Sequence, residues 1–143
     1  MDANITRRPS PVIGQLSLSL LHVIPSLEAS EGGPSKAVVE MCRCLRAAAE
    51  DVEIVSTGDS KACSPATPGQ AAPDGAGSRL SFTDDVPVRL FPRRGALEYK
   101  YSPALAAWLE NEVKRYDVVH IHAVFNHSSH AAARAAAATA FLT

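Results

Sequence analysis

The feature that most constrains the fold is an alternation of short apolar segments with longer segments of helical periodicity. Four short segments rich in Val, Ile and Leu are typical of β-strands and lie at 17–24, 51–56, 86–91 and 117–126. Residues 34–50 and 103–116 carry apolar side chains at helical spacing, and an alanine-rich helix is expected after 126. Strands that alternate with helices form parallel sheets with right-handed crossovers. The sequence therefore predicts an α/β fold, a Rossmann-like parallel sheet with helices on both faces.

The chain of 143 residues has the length of one modest domain. Residues 1–16 have little periodicity and are expected to form a flexible leader, which leaves 17–143 as the domain. Pro25 is expected to end the first strand, because proline cannot donate to a sheet ladder. Residues 57–85 are rich in Gly, Pro, Ala and Asp and predict a long loop.

The last strand-like segment, 117–126, contains two histidines. Side chains alternate along a strand, so His120 and His122 should point to the same face. In a doubly wound sheet the strand order is 3-2-1-4, and ligands bind where strands 1 and 4 diverge. Gly32 and Gly33 follow the first strand, so we expect them and His122 to border one cleft.

Composition excludes several classes of function. The net charge is −1 with both signs interspersed, which argues against a nucleic-acid partner. The longest apolar stretch, 12–24, is too short and too polar to span a membrane. Cys42, Cys44 and Cys63 are odd in number and form no disulfide framework, which favours a cytoplasmic location.

Each candidate site residue has two interpretations. Gly32 and Gly33 before a helix favour an anion such as a phosphate, although Gly-Gly-Pro is also a common way to begin a helix. His122, near the end of its strand, is the candidate for substrate contact, whereas His120 is expected to be a hydrogen-bonded core residue.

A second polar group follows the third strand. It could bind an anionic or sugar-like acceptor, or form a solvated basic turn with anchoring tyrosines; its members are Arg93, Arg94, Tyr99 and Tyr101. A metal site is the further alternative for the histidines His120, His122, His127 and His130. No Asp, Glu or Cys near them completes a ligand set, so we predict no metal. The glycine segment lacks the Gly-x-Gly-x-x-Gly spacing of dinucleotide sites and the Gly-Lys-Ser/Thr of a P-loop, and we predict no cofactor.

Ordered motifs carry a family resemblance over residues 18–136. Leu21-His22-Val23-Ile24-Pro25-Ser26-Leu27 followed by Gly32-Gly33-Pro34-Ser35-Lys36-Ala37-Val38 resembles the opening of the family 4 retaining glycosyltransferases, which have the two-domain GT-B fold. Phe91-Pro92-Arg93-Arg94-Gly95, Tyr101-Ser102-Pro103-Ala104-Leu105 and Asp117-Val118-Val119-His120-Ile121-His122 match the same group in the same order.

The resemblance implies specific roles. In that family a glycine loop approaches the diphosphate of a nucleotide-sugar donor, which falls here on Gly32 and Gly33. A histidine after the fourth strand lies beside the transferred sugar, which by motif position is His122. The N-terminal domain mainly holds the acceptor, and no metal is generally required. The implied reaction moves a sugar from a nucleotide-sugar to a glycan or lipid-linked acceptor with retention, as in polysaccharide biosynthesis.

The family pattern continues with further strands and a C-terminal domain that carries most donor contacts, and these motifs do not occur in the sequence. We therefore expect an incomplete N-terminal domain of a GT-B fold, inactive alone, with a separate C-terminal half as a further partner. The alternative function is a non-catalytic interaction module that pairs with another protein through the exposed edge of its fourth strand.

Overall fold

The computed structural model describes residues 17–28, 30, 32–59, 85–95 and 99–140. The predicted leader and residues 60–84 of the predicted loop lie outside the described residues. In chain order the elements are β1 (Ser19–Ser26), α1 (Gly33–Ala47), β2 (Asp51–Gly58), β3 (Val88–Pro92), α2 (Pro103–Glu112), a 3-10 turn (Val113–Arg115), β4 (Val118–Ile121) and α3 (His127–Ala140). Within this part of the chain, no helix is long and apolar enough to cross a bilayer.

The four strands form one parallel sheet in the order β3-β2-β1-β4. The predicted α/β class and the predicted strand order are both confirmed. β1 lies at the centre because it pairs with β2 on one side and with β4 on the other. The reversal of strand order beside β1 creates the switch point at which ligands bind in such sheets.

Two apolar clusters cover the two faces of the sheet. One joins α1 to β1 and β2 through residues that include Val39, Cys42 and Ile54. The other joins α2 and α3 to the opposite face, where Leu105 and Leu109 are fully buried. Alternate residues of β1 enter alternate clusters, as the period of a strand requires. Helices on both faces are therefore confirmed.

The first strand does not end at Pro25, and that prediction was wrong. β1 continues to Ser26, and its register with β2 shifts between Val23 and Ser26. Such irregular points in a ladder are where a strand accommodates proline. The Thr57 hydroxyl then donates to the Pro25 carbonyl at 2.6 Å, so a side chain supplies a link across the irregular point. The same extension places Thr57 and Gly58 in β2 rather than in the predicted loop.

The fourth strand is shorter and more exposed than predicted. Instead of a buried strand over 117–126, β4 spans Val118–Ile121, and Val118 is 42% exposed. Among the described strands β4 pairs with β1 alone, which leaves its other edge open. The strand stops because Ala123 and Phe125 adopt positive φ angles of 70° and 61°, which no strand residue has.

The helix ends follow local chemistry. Ser102 caps α2 as predicted, accepting a hydrogen bond from the Leu105 backbone N–H at 3.3 Å. α1 ends at Ala47 rather than near Glu50, because Ala49 turns the chain with a φ of 68°. The end of α1 therefore sets where the chain enters β2, and the Ser102 cap sets where α2 begins.

Candidate functional site

Three histidines meet on the α1 face of the sheet, where the carboxyl end of β4 lies beside the middle of β1. His22 of β1 and His120 of β4 are register partners, and His122 follows two residues later. The ring centroids of His22 lie 5.0 Å from His120 and 5.2 Å from His122, and those of His120 and His122 are 4.2 Å apart. The prediction that His120 and His122 share a face is confirmed.

The buried member of the cluster is His22, not His120. His22 is 1% exposed, whereas His120 lies at the surface, so the prediction of a core histidine at position 120 was wrong. The difference in burial follows from the positions of the strands. β1 is central and lies under α1, whereas β4 is the edge strand and no helix of the described chain covers this part of its α1 face. In the sequence, His22 stands within the apolar segment Leu-Leu-His-Val-Ile, which indicates a buried position. Its place beside His120 and His122 follows only when β1 is paired with β4.

Burial keeps two of the three rings uncharged at neutral pH. Desolvation, followed by repulsion from His122 and His120, lowers the pKa of His22 to about 4. Desolvation, followed by repulsion from His120, lowers the pKa of His122 to about 4. Each of these two neutral rings therefore carries one N–H donor and one bare nitrogen acceptor. His22 Nδ1 lies 2.9 Å from His122 Nε2, which is a hydrogen-bond distance.

The cluster differs from the metal set considered from sequence. Among the described residues, the group with nitrogens close enough to share an ion is His22, His120 and His122, whose ligand atoms lie within 4.8 Å of one another. However, the rings of His120 and His122 stack with an interplanar angle of 27°, so their in-plane lone pairs do not converge on one point. The ring nitrogens also lack a described carboxylate or carbonyl partner of the kind that usually orients metal ligands. The arrangement fits a hydrogen-bonded pair with a stacked third ring.

His127 has a different environment. Its Nδ1 accepts a hydrogen bond from the Ser102 backbone N–H at 3.2 Å, and its ring meets Tyr101 edge-on at 4.6 Å between centroids. Burial, followed by repulsion from His130, lowers its pKa. His127 therefore ties the start of α2 to the start of α3.

The glycine pair begins α1 next to the end of β1. Gly32 is the N-cap with φ 86° and ψ −149°, a conformation open essentially to glycine alone. Gly33 is the first helical residue, and both glycines are exposed with nothing within 4 Å of an added Cβ. The Ser35 hydroxyl donates to the Ser26 carbonyl at 3.3 Å and so fixes the helix start beside β1. This geometry leaves the backbone N–H groups of the first turn open to an anion.

The predicted acceptor residues separate into distinct environments. The Arg93 side chain is 8% exposed and pairs with Glu28 at 3.0 Å. Its Nε and Nη2 also donate to Thr57, to Oγ1 at 2.8 Å and to the carbonyl at 3.0 Å. Arg94 is exposed, and its backbone N–H donates to the Tyr101 carbonyl at 2.7 Å. Arg93 therefore joins the carboxyl ends of the strands, while the Arg94 guanidinium reaches solvent.

An open pocket lies under the loop that follows β4. Its lining residues are Tyr99, Val124, Phe125, Asn126, Ser129 and His130. Phe125 is 96% exposed and Val124 70% exposed. Asn126 caps α3, since its Oδ1 accepts from the Ser129 backbone N–H at 3.0 Å. Of the four predicted acceptor residues, Tyr99 alone lines this pocket, and sequence reasoning missed Phe125 because it assigned that position to a strand.

Comparison with known proteins identifies a family. A family model described as Glycosyl transferase 4-like domain matches residues 32–141, which is more than half of the chain. The matched range includes Gly32, Gly33, His122 and the loop after β4, and it begins after His22. No curated protein and no solved structure matches.

Proposed function

Since the chain belongs to the glycosyl transferase 4-like domain family, we propose that its sheet forms the acceptor side of a sugar-transfer site. The proposed reaction moves a sugar from a nucleotide-sugar to a glycan or lipid-linked acceptor with retention at the anomeric carbon. The family match confirms the resemblance that the sequence motifs predicted. It does not favour the alternative of a non-catalytic module that pairs through its sheet edge.

One observation supports this proposal most strongly. Gly32 and Gly33 follow β1, and His122 follows β4, while β1 and β4 are neighbouring parallel strands. Both groups therefore stand at the same carboxyl edge, at the point where the strand order reverses. Two motifs about 90 residues apart in sequence reach one edge through this topology alone.

The proposed roles follow from the chemistry of each group. The helix N-terminus after Gly32 offers free N–H groups and a positive dipole end, both of which suit the donor diphosphate. The neutral imidazole of His122 suits a sugar hydroxyl, because it can form a hydrogen bond without bringing a second charge to the site. Arg93, Arg94, Tyr99 and Tyr101 remain the proposed acceptor side, with the Arg94 guanidinium the better placed of the two arginines for a ligand.

Transfer also needs a donor-binding wall. Proximity and electrostatic stabilisation of the departing diphosphate supply much of the rate of such reactions, and the motifs that carry them in the family lie beyond those found here. We therefore expect the 143 residues by themselves to show no transfer, and activity to require a donor-binding domain. Nucleotide-sugar-dependent transfer by the purified chain alone would refute this expectation. We also propose a cytoplasmic location, which the odd number of cysteines favours.

A variant pair tests His122 directly. In a preparation that contains a donor-binding domain and transfers sugar, His122→Ala should lower kcat/KM by about 10²-fold or more, the usual effect of removing a hydrogen bond at a reacting centre. Asn111→Ala is the control and should keep full activity, since Asn111 is exposed on α2 and lines neither the histidine cluster nor the pocket. Equal activity of the two variants would reject His122 as a catalytic residue.

A further inference from the structure

His22 occupies an unusual position for a polar side chain. It is 1% exposed, and its Nε2 is fully enclosed without a hydrogen-bond partner in the described part of the chain. Buried polar atoms nearly always find a partner, so an exception requires a reason. The remaining nitrogen of the ring, Nδ1, lies 2.9 Å from Nε2 of His122. Among the described residues, the hydrogen-bond partner of the His22 side chain is therefore His122, the candidate catalytic residue.

We propose that His22 is a positioning residue that holds His122 as the Nδ1–H tautomer, so that His122 meets its substrate as a hydrogen-bond donor. The consequence for sugar transfer rests on the proposed function. The tautomer itself does not, and it can be measured without any substrate. His22 precedes the residues that the family model matches, so the match assigns no role to it.

The direction of the hydrogen bond between His22 and His122 follows from the state of the enclosed His22 Nε2, which differs between the two possible donors. Both rings are neutral, so each has a single N–H. If His122 donated from Nε2, the proton of His22 would sit on its enclosed Nε2 as an orphaned N–H. Orphaned buried N–H groups are rarer than unpaired acceptors. His22 therefore donates from Nδ1, and its enclosed Nε2 is bare.

The same contact leaves one nitrogen of His122 for a ligand. With Nε2 accepting from His22, the proton of His122 lies on Nδ1, which is not among the enclosed side-chain atoms without a partner. Two further contacts fix the residue: its backbone N–H donates to the Val23 carbonyl at 2.8 Å, and its ring stacks on His120. The ring therefore has a defined orientation before any ligand arrives.

Long-range proton–nitrogen NMR spectra of the full chain test the proposal at pH 7. The chemical shift of each ring nitrogen shows whether that nitrogen carries a proton, and so the spectrum distinguishes the two tautomers. The proposal predicts a protonated Nδ1 and a bare Nε2 on His122, together with a protonated Nδ1 on His22. A protonated Nε2 on His122 in the unmodified protein would overturn it, whatever the variants do.

A pair of substitutions then isolates the contribution of His22. His22→Asn keeps an N–H donor near the position of Nδ1, whereas His22→Leu removes the donor while filling the site. We expect His122 to stay in the Nδ1–H form in the Asn variant and to shift towards the Nε2–H form in the Leu variant. His130→Asn is the control and should leave the His122 spectrum unchanged. A folded His22→Leu protein with an unchanged His122 tautomer would overturn the proposal.

The outcome is separable from the fate of the proposed function. If His122 has the expected tautomer but His122→Ala transfers sugar normally, the transfer proposal fails and the positioning inference stands. If His122→Ala abolishes transfer but the tautomer is the opposite one, the positioning inference fails alone.

Discussion

The polar side chains near β2 and β3 differ from those near β1 and β4 in charge and in how fully they are hydrogen-bonded. We call these two regions the arginine side and the histidine side. At the ends of β2 and β3, Arg93 is charged and each contact is matched, with Glu28 on one side and Thr57 on the other. Where the end of β4 meets the middle of β1, His22 and His122 are uncharged, and the hydrogen bond between them uses one nitrogen of each ring. The Arg93 contacts link parts of the fold to one another, whereas the histidine pair leaves Nδ1 of His122 for a ligand, since Nε2 of His22 is enclosed. This difference is why we place the chemistry on the β1 and β4 side.

The largest expected effect is the response of the histidine side to acid. Unfolded His22 takes up a proton near pH 6.5, but folded His22 does so only near pH 4. The contribution of His22 to the free energy of unfolding should therefore be fully present above pH 6.5 and fall by about 3 kcal/mol as the pH drops from 6.5 to 4. His122 and His127, whose pKa values are also lowered, add in the same direction. Urea unfolding at a series of pH values measures this loss.

His22→Asn separates the contribution of His22 from the others, because Asn does not titrate. The variant should lose less stability between pH 6.5 and 4 than the unmodified chain. His130→Asn, which alters an exposed ring, should keep the original slope. A slope that is the same in all three proteins would show that His22 is not held neutral by burial.

The arginine side should respond to substitution by a loss of stability. Arg93→Ala removes two hydrogen bonds to Thr57 and the pair with Glu28, and we expect it to lower the free energy of unfolding by about 2–3 kcal/mol. Arg94→Ala is the matched control and should change stability by no more than about 0.5 kcal/mol, because its side chain is exposed. Denaturant titration distinguishes the two, and equal effects would remove the contrast between the sides.

The glycine pair gives the smallest effects, with opposite signs. Gly32→Ala forces a side chain into a backbone region open to glycine and should cost about 1–2 kcal/mol. Gly33→Ala has no steric conflict and a helical position, so it should be neutral or stabilise the protein by up to about 1 kcal/mol. Thermal unfolding of the two variants provides the comparison. A destabilised Gly33→Ala protein would mean that the loop packs differently from the structure described.

The sequence predicts the topology well because the topology depends on the order and periodicity of the apolar segments. The order β3-β2-β1-β4 follows from alternating strands and helices, and the Ser102 cap follows from a local motif. The His120 and His122 pair follows from the period of a strand. In each case the information lies within one element or in the order of elements.

Contacts between distant residues are the part that the sequence does not reveal. His22 and His122 are 100 positions apart, and their contact depends on the register between β1 and β4. Arg93 is engaged because β2 extends to Gly58 and brings Thr57 beside it, which in turn depends on the irregular register at Pro25. Phe125 is exposed because two residues of its loop have positive φ angles, and neither is glycine. The spacing of residues in the sequence indicates neither of the two contacts nor the exposure of Phe125.

The central claim is that ligand chemistry lies at the carboxyl ends of β1 and β4. Amide chemical-shift mapping of the full chain with UDP and GDP tests it most directly, because the method detects weak binding at individual residues. We expect the amide shifts of Gly32, Gly33 and His122 to move on addition of nucleotide, while those of Arg93 and its neighbours in β3 stay unchanged. Movement confined to β3, or no movement at either glycine or at His122 with nucleotide at millimolar concentration, would contradict it.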